Sequence, residues 1–277
     1  MKRSIIFALL CIFATVLSAH DMFLKLQSFF LKPRAQASIA LYNGTFDKSE
    51  NVITRDRMQD VSVAGPNSER TYPDTSQWYN AGAVSMLEIK TGGAGTYVVG
   101  VSTKPKMIAL AAKDFNEYLQ HDGVLDVYDT RQKNNALEKD ARELYSKHIK
   151  TIVQVGDKRS DGFKARLGYP LEIVPLQNPY ALKEGEVLEV LVLRDGKPVT
   201  NQLVYANFAG HHEHAKTPDG EERHDEAVNT RTDANGIAKI KLEEHGQWYI
   251  RLIHMVPSNQ KDVDYESNWA TLTFEIQ

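Results

Sequence analysis

Gly210-His211-His212-Glu213-His214 sets three imidazoles and a carboxylate side by side, and Glu221, Glu222, His224 and Asp225 follow in the same loop. Imidazole and carboxylate groups at this density suit zinc, copper or nickel, and in an extended segment His212 and His214 point to the same side. The same composition also suits a solvated polar loop that holds nothing tightly, since a fixed structural site pairs tighter spacing with an apolar frame. Such a loop is expected to collect an ion and hand it on. His254 differs in kind. Within Trp248-Tyr-Ile-Arg-Leu-Ile-His254-Met255, alternation puts Trp248, Ile250, Leu252 and His254 on one strand face that is apolar except for its last member. A histidine so placed is either a hydrogen-bonded core residue or a ligand.

A further candidate depends on processing. Lys2 and Arg3 precede a run from Ile5 to Leu17 that is apolar except for Thr15 and ends in Ser18-Ala19, a small-residue site of the kind signal peptidase cleaves. Residues 1–19 read as a secretory signal, because the run is shorter than the roughly 20 residues of a membrane span. Cleavage after Ala19 makes His20 the first residue of the mature chain. A free α-amine with a pKa of about 7.7–8.0 and an imidazole of about 6.5 can both be neutral donors near neutral pH, so an N-terminal His grips one ion at two points.

The chain has nine histidines and one cysteine, Cys11, which leaves with the signal. No disulfide is then available, and the expected compartment is a bacterial periplasm, with no stable membrane span after signal removal. The 277 residues, 42% hydrophobic and 25% charged, describe an ordinary globular chain and exclude a disordered or multi-span protein. Lys and Arg total 33 against 36 acidic residues, a formal charge of −3; loss of Lys2 and Arg3 takes this to near −5. The basic residues are dispersed, so no nucleic acid is expected as a partner. Nucleophile-elbow, phosphate-loop, HExxH and haem-attachment motifs are all missing, which leaves hydrolase and nucleotide chemistry without support.

The elements that must hold these residues are mainly strands. Ala37–Tyr42, Val61–Val63, Ser85–Ile89 and Tyr97–Ser102 alternate, divided by turn residues such as Asn43-Gly44 and Gly92-Gly93. Leu137, Ala141, Leu144 and Tyr145 fall at helical spacing, and with Lys113–Gln120 they predict a helical insertion over about 113–148, with His121 and His148 on its surface or at its caps. Leu188–Leu193, Leu203–Phe208, Ile237–Leu242, Trp248–Ile253 and Ala270–Ile276 are regularly spaced strands with turns at Asp195-Gly196 and Asp233–Gly236. The expected architecture is mainly β, with two β-sandwich-like domains. Residues 20–168 carry the helical insertion and 169–277 form an immunoglobulin-like sandwich. By strand counting His245 returns to the end of the sandwich that carries the 211–224 loop, and His254 lies a strand length away.

His20-Asp-Met-Phe-Leu-Lys after the signal, Asp114-Phe-Asn-Glu-Tyr-Leu to Gly123, Glu143 to Gly156, Leu171 to Gly185 and the closing Trp248…His254-Met255-Val-Pro…Asp264 to Glu275 together resemble a large family of uncharacterised exported bacterial proteins. Members of that domain-of-unknown-function family are often described as periplasmic components of cobalt or nickel uptake systems. The resemblance implies an N-terminal His ligand at His20 and a His-Met pair at His254-Met255. It implies nothing for His211–His214, where members vary, and Leu41-Tyr-Asn-Gly-Thr-Phe46 departs from the glycine-histidine version of some members.

The leading expectation is a periplasmic binding protein for a divalent transition metal, nickel, cobalt, copper or zinc, that assists uptake with a transporter or another envelope protein. Its candidate ligands are His20, His254, His211, His212, His214 and His224. Nitrogen ligands alone would prefer copper. A structural or carbohydrate-presenting module without metal is the alternative, since such sandwiches host many passive roles. No enzyme is expected; the one enzymatic reading is a copper-dependent oxidase built on an N-terminal His chelate.

Overall fold

Strands begin at the first residues after the predicted signal. The computed structural model describes residues 20–67, 69–211, 214–216, 222–224 and 226–277, with the backbone course alone at 214–216 and 222–224. The first half runs through β1 (Asp21–Lys25), β2 (Phe30–Leu31), β3 (Gln36–Gly44), β4 (Met58–Ala64), β5 (Arg70–Thr71), β6 (Trp78–Ala81), β7 (Val84–Lys90), β8 (Gly95–Thr103) and β9 (Lys106–Leu110). Two helices follow, α1 (Ala112–His121) and α2 (Leu125–Lys133), and then the long β10 (Ala141–Val155). The second half contains β11 (Leu171–Pro175), β12 (Val187–Arg194), β13 (Lys197–Pro198), β14 (Leu203–Phe208), β15 (His214–Lys216) and β16 (Glu222–His224). It closes with β17 (Val228–Arg231), β18 (Ile237–Lys241), β19 (Gly246–Pro257) and β20 (Tyr265–Ile276).

The fold is mainly β, as the alternation predicts. A ten-stranded sheet has the order β17-β14-β19-β20-β10-β8-β4-β5, with β2 and β9 also paired to β10. Two four-stranded sheets cover it. β1-β3-β7-β6 lies on one face, where the Thr271 and Thr273 hydroxyls donate to the Met22 and Leu24 carbonyls at 2.7 and 2.6 Å. β11-β12-β13 with β18 lies on the other, where the buried Lys150 ammonium meets Glu172 at 3.0 Å. The second-half sandwich turns where expected: Asp195 and Gly196, at φ 48° and 74°, close the β12–β13 hairpin in the left-handed conformation that an Asp-Gly pair favours.

The sheet does not divide near residue 168. β10, before that point, lies parallel to β20, after it, from Glu143 opposite Tyr265 to Thr151 opposite Thr273. Parallel pairing needs a long crossover, and the whole second half supplies it. One buried apolar cluster accordingly joins Ile39, Val99 and Ile152 to Val190, Ile240, Trp248 and Leu272.

The helix expected up to His148 is corrected. Helical structure stops at Lys133, Asn135 turns left-handed at φ 51°, and Ala141–Val155 is a strand. β10 is central, between β20 on one side and β8 and β9 on the other, so its polar residues are satisfied by neighbours and both its faces are buried. That removes the alternation a strand is recognised by. His148 is therefore no surface residue: it is 2% exposed, with Nδ1 2.9 Å from Ser102 Oγ and Nε2 3.0 Å from Asn268 Oδ1. Burial pushes its pKa down to about 4, so it is a neutral core histidine.

Candidate functional site

β9 and β10 lie side by side with Lys106 opposite Tyr145 and Ile108 opposite Glu143. Alternation sends Glu143, Tyr145 and Lys147 to one face, and Trp269 of β20 stands opposite Lys147 on that same face. Over this floor come His20 and Met22, the segment Asn51–Thr54, Arg57, and Tyr118 from α1, enclosing a cleft of about 430 Å³. α1 reaches it because Phe115, Tyr118 and Leu119 form a buried helical stripe, while Asp140 accepts the Ala112 amide at 2.9 Å.

His20 sits on the solvent side of the cleft, its side chain 21% exposed and its Nε2 2.8 Å from the Glu50 carboxylate. The Lys147 ammonium donates to the His20 carbonyl, fixing the backbone as well as the ring. That ammonium also lies 4.2 Å from the centroid of the Trp269 ring, and burial pulls its pKa below the ordinary lysine value. Deeper in, Glu143 is 2% exposed and accepts hydrogen bonds from Tyr118, at 3.1 Å, and from Ser267. Burial raises its pKa to about 7, against the pull of those hydroxyls and of Lys147.

Asp21 connects this cleft to the histidine-rich loop. Arg251, fully buried, has its Nε 2.7 Å from Glu226 and 3.5 Å from Asp21, and Tyr249 donates to Glu226 at 3.1 Å. Glu226 follows the loop that carries His211–His224, so one guanidinium holds both the residue after His20 and the end of the loop. Burial lifts Asp21 to about 6 even with Arg251 beside it.

The candidate histidines whose side chains are described, His20, His211 and His254, do not converge. Lys147, Trp269 and Ile253 share one face of the sheet, whereas Ser146, Asn268 and His254 share the other. His20 stands on the Lys147 face and His254 on the opposite one, so a backbone layer separates them. His254 is a half-buried histidine whose Nδ1 lies 2.9 Å from Gln202 Oε1, and burial pulls its pKa down. His211 packs edge-on against Phe208 at 5.2 Å, and Phe208 is opposite Trp248 at the start of β19. Six strand residues, roughly 20 Å, separate that point from His254. The His211 Nε2 is buried without a hydrogen-bond partner among the described residues. His214 and His224 pair across the short β15–β16 ladder, but their side chains, like His212, lie outside the described residues. His245 meets Glu184 and Glu244 in an exposed group whose ligand atoms lie within 4.8 Å of one another.

Glu50, Glu143, Lys147, Arg57 and Lys106 are the site residues that sequence spacing does not reveal. The missing signal is alternation: Lys106-x-Ile108 and Glu143-x-Tyr145-x-Lys147 are strand faces, and the second is hidden when the segment is read as helix.

A family model described as "Domain of unknown function (DUF4198)" matches residues 17–256. No curated protein matches the chain. Among solved structures, the D0-D1 domain of intimin is similar at 12% identity, with 92% of this chain and 97% of that one covered, at a TM-score of 0.19. A Salmonella alpha-2-macroglobulin reacted with methylamine is similar at 9% identity, over 92% of this chain and 15% of that one, at a TM-score of 0.23. The Escherichia coli adhesin FdeC is similar at 15% identity, over 94% and 65%, at a TM-score of 0.21. No helix among the described residues is long and apolar enough to cross a membrane, which says nothing of β-barrels.

Proposed function

The chain belongs to the family described as a domain of unknown function (DUF4198), and within it we propose a periplasmic binding protein whose cargo is a divalent transition metal held by a mature N-terminus at His20. The observation that carries this reading is the fixed position of His20: Glu50 engages Nε2 at 2.8 Å, and Lys147 holds the carbonyl. A carboxylate on one ring nitrogen orients the imidazole, leaving Nδ1 and the terminal amine of the same residue to grip an ion. Export with removal of residues 1–19 is part of the proposal, as is delivery of nickel, cobalt, copper or zinc to an uptake transporter or another envelope protein. Copper would bind most tightly in vitro whatever the cargo. His254, on the other sheet face, stays outside this site, and the 211–224 loop acts in recruitment.

The test uses a chain that begins at His20, titrated with copper, nickel, cobalt and zinc beside a chain with one residue added before His20. Submicromolar affinity that disappears with the added residue supports the chelate. Glu50→Gln should weaken it about tenfold or more, and His254→Ala should leave it unchanged. Equal affinities in all four chains would remove the site and favour a module that needs no metal.

A further inference from the structure

The chain is acidic overall, with a formal charge of −3, yet three cationic side chains line the cleft beside His20. Arg57, Lys106 and Lys147 all line it, and Glu143 is the only carboxylate among its lining residues. Among the described residues neither Arg57 nor Lys106 is ion-paired with a carboxylate. Arg57 donates to the Lys104 carbonyl and rests over the Tyr145 ring at 5.7 Å, and Lys147 approaches that ring from 5.9 Å. The aromatic faces are thus already used to carry cations, so what the cleft offers a ligand is positive charge backed by rings, beside a short apolar wall that includes Ile53 and Ile108. Concentrated positive charge in a concave, partly desolvated site draws anions in and strengthens their pairing. A space of about 430 Å³ lies toward the small end of ligand pockets and excludes a folded partner.

We infer that this cleft binds a small organic acid with at least two carboxylates on a short carbon skeleton. One carboxylate pairs with Arg57 and Lys106 at the open side. The other reaches Lys147, whose buried ammonium has Trp269 and a carbonyl as its contacts and the Asp21, Asp122 and Glu143 carboxylates acting on its charge. The inference stands apart from the metal, because these three cations line the cleft whatever His20 holds.

The probe is citrate, titrated calorimetrically into the chain beginning at His20 after chelator treatment and dialysis, with trimethyl citrate as the uncharged control of the same skeleton. Saturable binding of one citrate, no binding of the ester, and losses of at least about tenfold in Arg57→Met and in Lys106→Met are expected. Lys106 is exposed, so its variant should keep the parent's thermal midpoint, and Lys158→Met, an exposed lysine outside the cleft lining, should bind as the parent does. Failure of citrate to bind, equal binding of the ester, or equal binding by the Arg57, Lys106 and Lys158 variants would overturn the inference. Because no metal is present, none of these results depends on whether His20 is a ligand.

Discussion

Glu143 lines the cleft and bears directly on the stability of the fold. It is buried beneath Tyr118 and Ser267, and its pKa is raised to about 7 by that burial. Between the ordinary carboxyl range and pH 7 the folded chain keeps a proton that the unfolded chain has released. Stability is therefore complete at the acid end of that window and falls as pH rises through it, by on the order of 3 kcal/mol. Glu143→Gln keeps an acceptor for both hydroxyls without the charge. Urea unfolding measured from pH 4.5 to 7.5 should show the parent losing stability relative to this variant as pH increases; parallel profiles would mean that Glu143 ionises normally. Histidines divide on similar grounds. His148 is a neutral core group and His254 a half-buried one, each with a hydrogen-bond partner, whereas His20 is oriented by a carboxylate beside an open cleft.

At the scale of elements, α1 must stop abruptly for Tyr118 to face Glu143. Gly123 provides the stop at φ 75°, its carbonyl accepting from the Tyr205 hydroxyl at 2.9 Å. A Cβ there would lie 2.5 Å from that hydroxyl. Gly123→Ala combines left-handed strain with this clash and should cost about 2 kcal/mol or more, read as a lower urea midpoint with an unchanged slope; an unaltered midpoint would show that the turn relaxes freely. The second-half strands were legible in the sequence because one face of each is apolar and Asp-Gly or Asn-Gly turns separate them, as at Asp195-Gly196. β10 was not legible. Leu137, Ala141, Leu144 and Tyr145 fall at helical spacing by coincidence, and the partners that bury Lys147, His148 and Lys150 come from β1, β8, β11 and β20, up to about half the chain away. The same coincidence of spacing conceals the cleft floor. His20 was legible because its position after the predicted signal, and not its surroundings, singles it out; Glu50 was not, since only the return of the chain after β3 brings it to the ring.

For the molecule as a whole, the parallel pairing of β10 with β20 means that neither half completes its core alone. Calorimetric unfolding of the chain beginning at His20 should give one transition whose calorimetric and van't Hoff enthalpies agree, and two separated transitions would show that the halves are independent. This continuity also matters for function. The cleft takes its floor from both halves, with Glu143, Tyr145 and Lys147 from the first and Trp269 from the second, so the site exists only in the assembled sheet. The central claim is that a terminus at His20, oriented by Glu50, is where the metal is held. Anomalous diffraction from copper-loaded crystals of the chain beginning at His20 tests it most directly. A metal peak bonded to the terminal amine and Nδ1 of His20, with Glu50 still on Nε2, is the predicted result. A peak only at the Glu184, Glu244 and His245 group or in the 211–224 loop, with none at His20, would contradict it.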